Sequence, residues 1–242
     1  MASNWLLAYS TLVNFNPSSG IKGLQANELV TNSSPLLPVA VGHIARLQTG
    51  LDFVNTLDLY PVPHDHLESP DAALDWLVEH DLLHREVRNH LLAQFQTSPA
   101  SGTEILAKLR RVRQSMRGAL EAAAERRAPT GADLDEINRA LRTHYVYELV
   151  PAPDGVSLDH RHQGDPVDGA LARLVESIAR ELIQGETSRL RVCENQQCRW
   201  IFKDTSRTGK RKWCSMRSCG NRAKVARHRA RRRAGAMSAE PI

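Results

Sequence analysis

The placement of the cysteines constrains this chain more than any other feature of its sequence. All four fall between residues 193 and 219 of the 242, as two pairs with the same internal spacing. Four residues separate Cys193 from Cys198, four separate Cys214 from Cys219, and fifteen lie between the pairs. Two short loops at this distance can close a tetrahedron of thiolates, the coordination that Zn²⁺ prefers in structural sites. The spacing predicts a structural zinc ion, and four cysteines that hold no metal are the alternative.

The cysteines could also form two disulfides, but disulfides are typical of secreted chains. No Lys or Arg precedes Lys22, so the N-terminus lacks the basic region of an export signal. The stretch from Trp5 to Val13 is too short, and too interrupted by Ser and Thr, to span a bilayer. We therefore expect reduced thiols in a bacterial, cytoplasmic protein without a membrane partner.

The charge of the chain is divided unevenly. Residues 189–233 carry 16 of the 32 Lys and Arg but only two acidic side chains, a net charge of +14, whereas the remainder has a net charge of −9. Such asymmetry points to a polyanionic partner. A module this small buries too little apolar surface to fold alone, so metal binding would supply folding free energy on the order of 10 kcal/mol. Trp200, Phe202 and Trp213 are its predicted core.

A basic helix is predicted from Asn221 onward, because Ala223, Ala226 and Ala230 recur at helical spacing. We expect this alanine stripe to lie on the zinc module, and the repelling cations around it to become ordered on a phosphate backbone. A solvated charge run and an RNA-binding arm are the alternatives. The predicted contacts to double-stranded DNA are Lys210, Arg211, Lys212, Arg222, Lys224, Arg227, Arg229, Arg231, Arg232 and Arg233.

The preceding part of the chain is predicted to be a mainly α domain with one β-hairpin, an α+β fold. Possible helix starts are Ser69 with Pro70, a capping box of Ser101 with Glu104, and another of Thr130 with Asp133. Further predicted elements are a helix at 85–96, a hairpin at 145–150 and 156–160, and a helix from Pro166 to Gly185. The predicted divisions are an N-terminal extension (1–42), a helical domain (43–186), a zinc finger with basic helix (187–233) and a tail (234–242).

The helical domain carries few candidates for chemistry. Asp52 and Asn55 are spaced to project together from a helix into a ligand pocket, or else to cap neighbouring backbone. The segment His64-Asp65-His66 is interpreted as a solvated loop rather than a second metal site. No motif of a common hydrolase or nucleotide-binding enzyme is present, and a closed thiolate shell leaves no position for water. We therefore expect a protein that is not an enzyme.

The second cysteine pair lies in the run Cys214-Ser215-Met216-Arg217-Ser218-Cys219-Gly220-Asn221-Arg222, preceded by Trp213. This run resembles the signature of the CGNR zinc-finger family. The segments Leu51-Asp52-Phe53-Val54-Asn55-Thr56 and Ala73-Leu74-Asp75-Trp76-Leu77 resemble its companion N-terminal domain, called ABATE. The resemblance covers roughly residues 43 to 233 and implies a stress-induced transcription regulator whose finger binds DNA.

Taken together, these features predict a zinc-finger transcriptional regulator that binds DNA. Its helical domain would sense an unidentified effector or form a homodimer, and a signal there would alter the placement of the finger. An RNA-binding accessory factor and an enzyme with its site in the helical domain are the rival interpretations.

Overall fold

The computed structural model describes residues 45–152, 155–185 and 187–237. All of them belong to one compact unit that begins at Ala40. The predicted N-terminal extension lies outside the described residues.

Seven α-helices, three two-stranded antiparallel sheets, a 3₁₀ turn (Thr187–Arg189) and a π-helical turn (Met216–Gly220) make up the regular structure of the described residues, so the predicted fold class is confirmed. The helices are α1 (Leu47–Val54), α2 (Pro70–Glu79), α3 (Arg85–Thr97), α4 (Pro99–Ala124), α5 (Gly131–Leu141), α6 (Pro166–Gln184) and α7 (Asn221–Met237). The strands are β1 (Leu57–Asp58), β2 (His64–Asp65), β3 (His144–Ala152), β4 (Gly155–Gln163), β5 (Leu190–Val192) and β6 (Ile201–Lys203). No described helix has an apolar stretch long enough to cross a membrane.

Two of the predicted helix starts are confirmed by side-chain caps. The hydroxyl of Ser69 accepts a hydrogen bond from the amide of Ala72 at 3.1 Å, and Pro70 occupies the first turn of α2. The hydroxyl of Thr130 likewise accepts from the amide of Asp133 at 3.1 Å and starts α5. Each cap satisfies a backbone donor that the first helical turn leaves without a partner.

The capping box predicted at Ser101 and Glu104 is wrong. Helix α4 already begins at Pro99, so Ser101 lies inside its first turn. The hydroxyl of Ser101 forms a hydrogen bond with that of Ser98 at 3.0 Å instead. Proline is well suited to a first helical turn, because it has no N–H to satisfy and its φ is already helical. That preference sets the start of α4 here.

Helix α4 is the central element of the helical domain. It contacts α1, α2, α3, α5 and α6, and its apolar stripe is buried against them. Burying one large aliphatic side chain contributes about 1.5–3 kcal/mol, so this stripe supplies much of the stability of the domain. The core side chains that are nearly inaccessible to solvent include Leu109, Met116 and Leu120 of α4, Phe53 of α1, Leu74 and Leu77 of α2, and Leu171, Leu174 and Ile178 of α6.

The same core continues into the cysteine-containing segment. Strands β5 and β6 pair antiparallel and contact α4, and β6 also contacts α1. Leu190 of β5 and Ile201 of β6 are almost fully buried within the core of the helical domain. The finger therefore does not rely on its own three aromatic side chains for apolar burial, because its hairpin uses the core of the neighbouring domain.

Candidate metal centre and nucleic-acid interface

The four cysteine sulfur atoms converge on one point. All four Sγ atoms lie within 4.8 Å of one another. The Sγ of Cys214 is 3.7 Å from that of Cys198 and 3.8 Å from that of Cys219. A tetrahedron of thiolates around Zn²⁺, with Zn–S bonds of about 2.3 Å, has edges of about 3.8 Å. The sulfur positions therefore fit a single four-coordinate zinc ion.

Local backbone hydrogen bonds shape the loop that carries the first two cysteines. The amide of Cys193 donates to the carbonyl of Trp200 at 2.9 Å, which continues the pairing of β5 with β6. The amide of Cys198 donates to the carbonyl of Asn195 at 2.9 Å and closes the turn. The side-chain amide of Asn195 also donates to the Sγ of Cys219 at 3.4 Å. Asn195 thus links the first loop to the second.

The second pair lies on a tight turn that becomes a helix. Residues Met216–Gly220 form one π-helical turn, which α7 follows directly. The hydroxyl of Ser215 accepts from the amide of Arg217 at 3.2 Å and caps this turn. A Cβ on Gly220 would lie 2.7 Å from the sulfur of Met216 and 3.3 Å from a ring carbon of Trp213. Glycine at this position therefore leaves room for these two side chains, and a larger residue would require the Met216 side chain to move.

The surroundings of the thiols affect how readily they ionise. Burial, and then repulsion from Cys193 and Cys198, raise the pKa of Cys214 far above its ordinary value. Burial also raises the pKa of Cys198 to about 11. Although burial opposes ionisation of Cys219 as well, the hydrogen bond from Asn195 and bonds from the other thiols lower its pKa. Zn²⁺ binds thiolates and displaces their protons, so it supplies the charge compensation that this cluster lacks.

The predicted aromatic core of the finger is confirmed. Phe202 is buried with the cysteines, and Trp200 and Trp213 pack against them. The helical domain also contributes to this cluster, because Tyr60, from the loop between β1 and β2, packs against it too. Tyr60 was missed at the sequence level because nothing in its local pattern connects it with residues about 140 positions later.

Arg211, one of the predicted DNA contacts, holds the cysteine loop in place through contacts within the protein. Its guanidinium lies 4.7 Å from the ring centre of Phe202 and donates to the carbonyl of Cys214 at 2.6 Å. Its backbone amide donates to the carboxylate of Asp204 at 2.8 Å. Although burial favours the protonated acid, hydrogen bonds from Ser206 and from this amide lower the pKa of Asp204 to about 2.

Asn55 joins the helical domain to the finger. Its side-chain amide donates to the carbonyl of Ile201 at 2.8 Å, and its side-chain oxygen accepts from the amide of Ile201 at 3.0 Å. Asn55 is almost fully buried, so these bonds are shielded from water. Asp52 has a different partner, because its carboxylate accepts from the side-chain amide of Gln48 at 2.8 Å. Asn55 therefore caps backbone groups, which was the alternative to a pocket. These groups belong to β6, however, and not to residues near Asn55 in the sequence.

Ion pairs add to this junction on both sides of the hairpin. Lys203 of β6 lies 2.8 Å from a carboxylate oxygen of Glu181 on α6. Arg199 lies 3.6 Å from Glu121 and 3.8 Å from Glu125, near the end of α4. Arg117 of α4 donates to the carbonyl of Arg199. Basic residues of the finger are therefore paired with acidic residues of the helical domain.

An ion pair at the end of the loop that carries Tyr60 was also not predicted from the sequence. Asp65 accepts two hydrogen bonds, at 2.5 and 3.0 Å, from the guanidinium of Arg113, which is buried on α4. The same guanidinium donates to the hydroxyl of Thr56 at 3.0 Å. Burial favours the neutral acid, but hydrogen bonds from Arg113 and from the backbone amide of Leu67, together with the charges of Arg113 and Arg110, outweigh it and lower the pKa of Asp65. Asp65 therefore anchors the end of the loop, whereas His64 and His66 on either side of it are exposed, as the interpretation of a solvated segment predicts.

Helix α7 projects from the cysteine turn and remains in solvent. Apart from the half-buried Ala223, every residue from Asn221 to Arg232 is exposed. Ala226 and Ala230 are among them, so the expectation that the alanine stripe lies on the zinc module is wrong. Three methyl groups bury too little area to hold a helix that carries seven cations within about three turns.

The other predicted DNA contacts lie on α7 and in the loop before the second cysteine pair. Helix α7 extends through Met237 into the segment predicted as a tail, and its ordering on a phosphate backbone stays a prediction. Residues 238–242 lie outside the described part of the chain, as does the side chain of Arg233. Lys210 and Lys212 are exposed, and Lys212 pairs with Glu194 at 3.1 Å. Arg222 lies in the first turn of α7. Its guanidinium is 4.6 Å from the ring centre of Tyr60 and donates a hydrogen bond to the hydroxyl of Tyr60.

Comparison with known families agrees with this two-part arrangement. The family ABATE, described as "Putative stress-induced transcription regulator", matches residues 47–186, which is more than half of the chain. The CGNR zinc finger matches residues 189–232 and contains all four cysteines. No curated protein matches the chain. The chain therefore belongs to the ABATE family, and the four thiols that converge at its C-terminal end are those of a CGNR zinc finger.

Proposed function

We propose that this protein is a transcription regulator that binds double-stranded DNA through α7. Both family matches support a regulatory role. The observation that carries the proposal is the exposure of α7, whose described side chains include six cations and no carboxylate between Arg222 and Arg232. An exposed cationic helix matches the width of the major groove, and its side chains reach phosphates on both sides.

The zinc site holds the N-terminal end of α7 in place. The helix continues directly from the turn that carries Cys214 and Cys219, and the first cysteine loop is attached to β5 and β6 in the core of the helical domain. A helix anchored in this way is oriented before it meets DNA, which lowers the ordering cost of binding. The acidic helical domain is repelled by phosphate, so we infer that α7 and the nearby Lys210 approach the duplex first.

A salt titration with matched variants tests this proposal. Binding of the zinc-loaded full chain to a labelled duplex is measured by fluorescence anisotropy at several salt concentrations. Five phosphate contacts predict a log–log slope of about −4.5. A triple variant with Arg227, Arg229 and Arg232 changed to Ala removes three contacts and is expected to make this slope shallower by about 2.7 units. A control variant removes the same charge from the helical domain, at the exposed Arg46, Arg85 and Arg142.

The outcomes separate the proposal from its rivals. Loss of affinity in the α7 variant alone supports DNA binding by this helix. Equal losses in both variants would mean that only net charge matters, and would contradict the assignment of α7. Tighter binding of single-stranded or structured RNA than of duplex DNA at equal salt would favour the RNA-binding interpretation. We further propose that the helical domain has no catalytic role; of its two candidate site residues, Asn55 is already engaged in backbone hydrogen bonds.

A further inference from the structure

A groove of about 610 Å³ runs along α5 and α6 on the helical domain. Its volume falls in the range of small-molecule sites, about 300–1,000 Å³, and its lining is mainly apolar with a few polar groups, as such sites usually are. We propose that this groove binds a small molecule with an apolar body and one carboxylate. The apolar lining residues are Ala123, Pro129, Leu134, Ile137, Leu141, Ile178, Ala179, Leu182 and Ile183.

Two large apolar side chains at the groove are exposed to water. Ile183 of α6 is 81% exposed and Leu134 of α5 is 41% exposed. Single exposed apolar residues are ordinary, but these two border one concave apolar surface together with Leu182 and the buried Ile137. An occupant with an apolar body would remove this surface from water.

The charges around the groove indicate which end group the occupant carries. Two arginines, Arg126 and Arg127, line it, and no carboxylate is among the residues that form its described wall. Arg127 forms an ion pair with Glu125 at 2.7 Å. Arg126 is exposed and makes no side-chain hydrogen bond or ion pair with the described residues. An apolar pocket with an unpaired guanidinium at its mouth is complementary to a carboxylate on an apolar body.

The groove also reaches the start of the finger. Thr187 and Ser188 line it, and they form the turn that leads directly into β5. An occupant would therefore contact α6 and the segment from which the finger hairpin begins. Its use as an effector rests on the proposed DNA-binding function, whereas the binding itself does not depend on that function.

The test measures binding of two carboxylates to the zinc-loaded full chain by isothermal titration calorimetry. The probes are decanoate and naphthalene-1-carboxylate, each compared with a neutral analogue, 1-decanol and naphthalene-1-carboxamide. Ile183→Asp places a repelling charge in the groove at an exposed position, and Arg126→Gln removes the unpaired cation. The matched controls are Leu149→Asp, at a side chain that is 72% exposed on the β3–β4 hairpin, and Arg85→Gln, at an exposed cation on α3.

We expect at least one carboxylate to bind with a stoichiometry of one and more tightly than its neutral analogue. Ile183→Asp should weaken this binding at least about tenfold and Arg126→Gln about fivefold, with both controls unchanged. The proposal is overturned if neither carboxylate binds, if the neutral analogues bind equally well, or if Ile183→Asp has no effect. It is also overturned if sedimentation shows that Ile183→Asp converts a dimer into a monomer, because a second copy would then cover the groove. None of these measurements involves DNA, so failure here leaves the proposed function standing.

Discussion

The basic C-terminal block has two halves, the part around strands β5 and β6 and the helix α7. These halves use their positive charges in different ways. In the first half, several basic side chains are engaged by the protein itself: Arg191 donates to the carbonyls of Ser188 and Gly209, and Lys203 pairs with Glu181. In the second half, the cations of α7 from Arg222 to Arg232 are exposed, and none of them pairs with a carboxylate of the described residues. A net charge of +14 in the sequence therefore overstates the charge available to a polyanion. The location of each cation decides whether it stabilises the fold or remains free to bind.

This difference follows from what lies beneath each half. Hairpin β5–β6 contributes Leu190 and Ile201 to the core of the helical domain, so its neighbouring arginines are held close to carbonyls and carboxylates. Between Asn221 and Arg232, the part of α7 whose side chains the structure describes, no apolar residue is buried in this way. The attachment of α7 depends on the cysteine turn and on the contact of Arg222 with Tyr60. The first half is thus fixed mainly by apolar burial and the second mainly by the metal site.

The largest effect is expected when the metal site is removed, because the two halves should then differ in how well their structure is retained. Cys214→Ser should abolish stoichiometric zinc, and with it a metal-binding free energy on the order of 10 kcal/mol. We expect α7 and the cysteine loops to lose hydrogen-exchange protection, whereas amides of β5 and β6 stay protected because Leu190 and Ile201 remain in the core. Elemental analysis and hydrogen exchange provide the measurement, and Ser218→Ala, at an exposed position of the same turn, is the control. Uniform loss of protection across β5, β6 and α7 would show that the metal holds both halves.

A smaller effect is expected from loosening the docked half alone. Asn55→Ala leaves the buried amide and carbonyl of Ile201 without their partners. Each buried unsatisfied group costs about 1–3 kcal/mol, so the free energy of unfolding should fall by about 2–6 kcal/mol. Urea denaturation measures this, with Asn89→Ala at an exposed position of α3 as the control. Zinc content should be retained. A change below that of the control would argue that the junction of β6 with α1 contributes little.

The smallest effect concerns the loop that carries Tyr60, and it depends on pH. The pKa of Asp65 in the folded protein lies below its unfolded value of about 3.9. The ionised carboxylate therefore stabilises the fold at pH values above about 3.9, and this stabilisation is lost as the pH falls through the folded pKa. Asp65→Asn should therefore destabilise the protein by about 2 kcal/mol at neutral pH and remove this part of the acid dependence. Urea denaturation between pH 3 and pH 7 measures both. An unchanged pH profile would contradict the assigned role of the Asp65–Arg113 pair.

Several parts of the fold could be predicted because their signals are local. The caps at Ser69 and Thr130 require only residues within one helical turn, and the hairpin and the end of α6 follow from similar short-range patterns. The start of α4 was misplaced because two local signals, Pro99 and Ser101, compete within three residues. Sequence reasoning could not rank them without knowing which start satisfies the packing of the whole helix.

The candidate site divides in the same way. Cys193, Cys198, Cys214 and Cys219 could be assigned as ligands from spacing, because thiolate chemistry and short loops leave few arrangements. The roles of Asn55, Tyr60 and Arg211 could not be assigned, because their partners are distant in sequence or are backbone groups with no residue signature. The path of α7 was also misjudged, since helical spacing of alanines does not indicate whether a surface is present for them to cover.

The sequence by itself determined the zinc ligands, the mainly helical character of the preceding domain and the concentration of positive charge at the C-terminal end. Each of these depends on residue chemistry or on spacing within a few turns. Only the tertiary structure decided that β5 and β6 share the core of the helical domain, that α7 stands free, and which cations remain unpaired. Those outcomes depend on which surfaces meet when residues more than a hundred positions apart are buried together, and burial, unlike helical period, is a property of the whole chain.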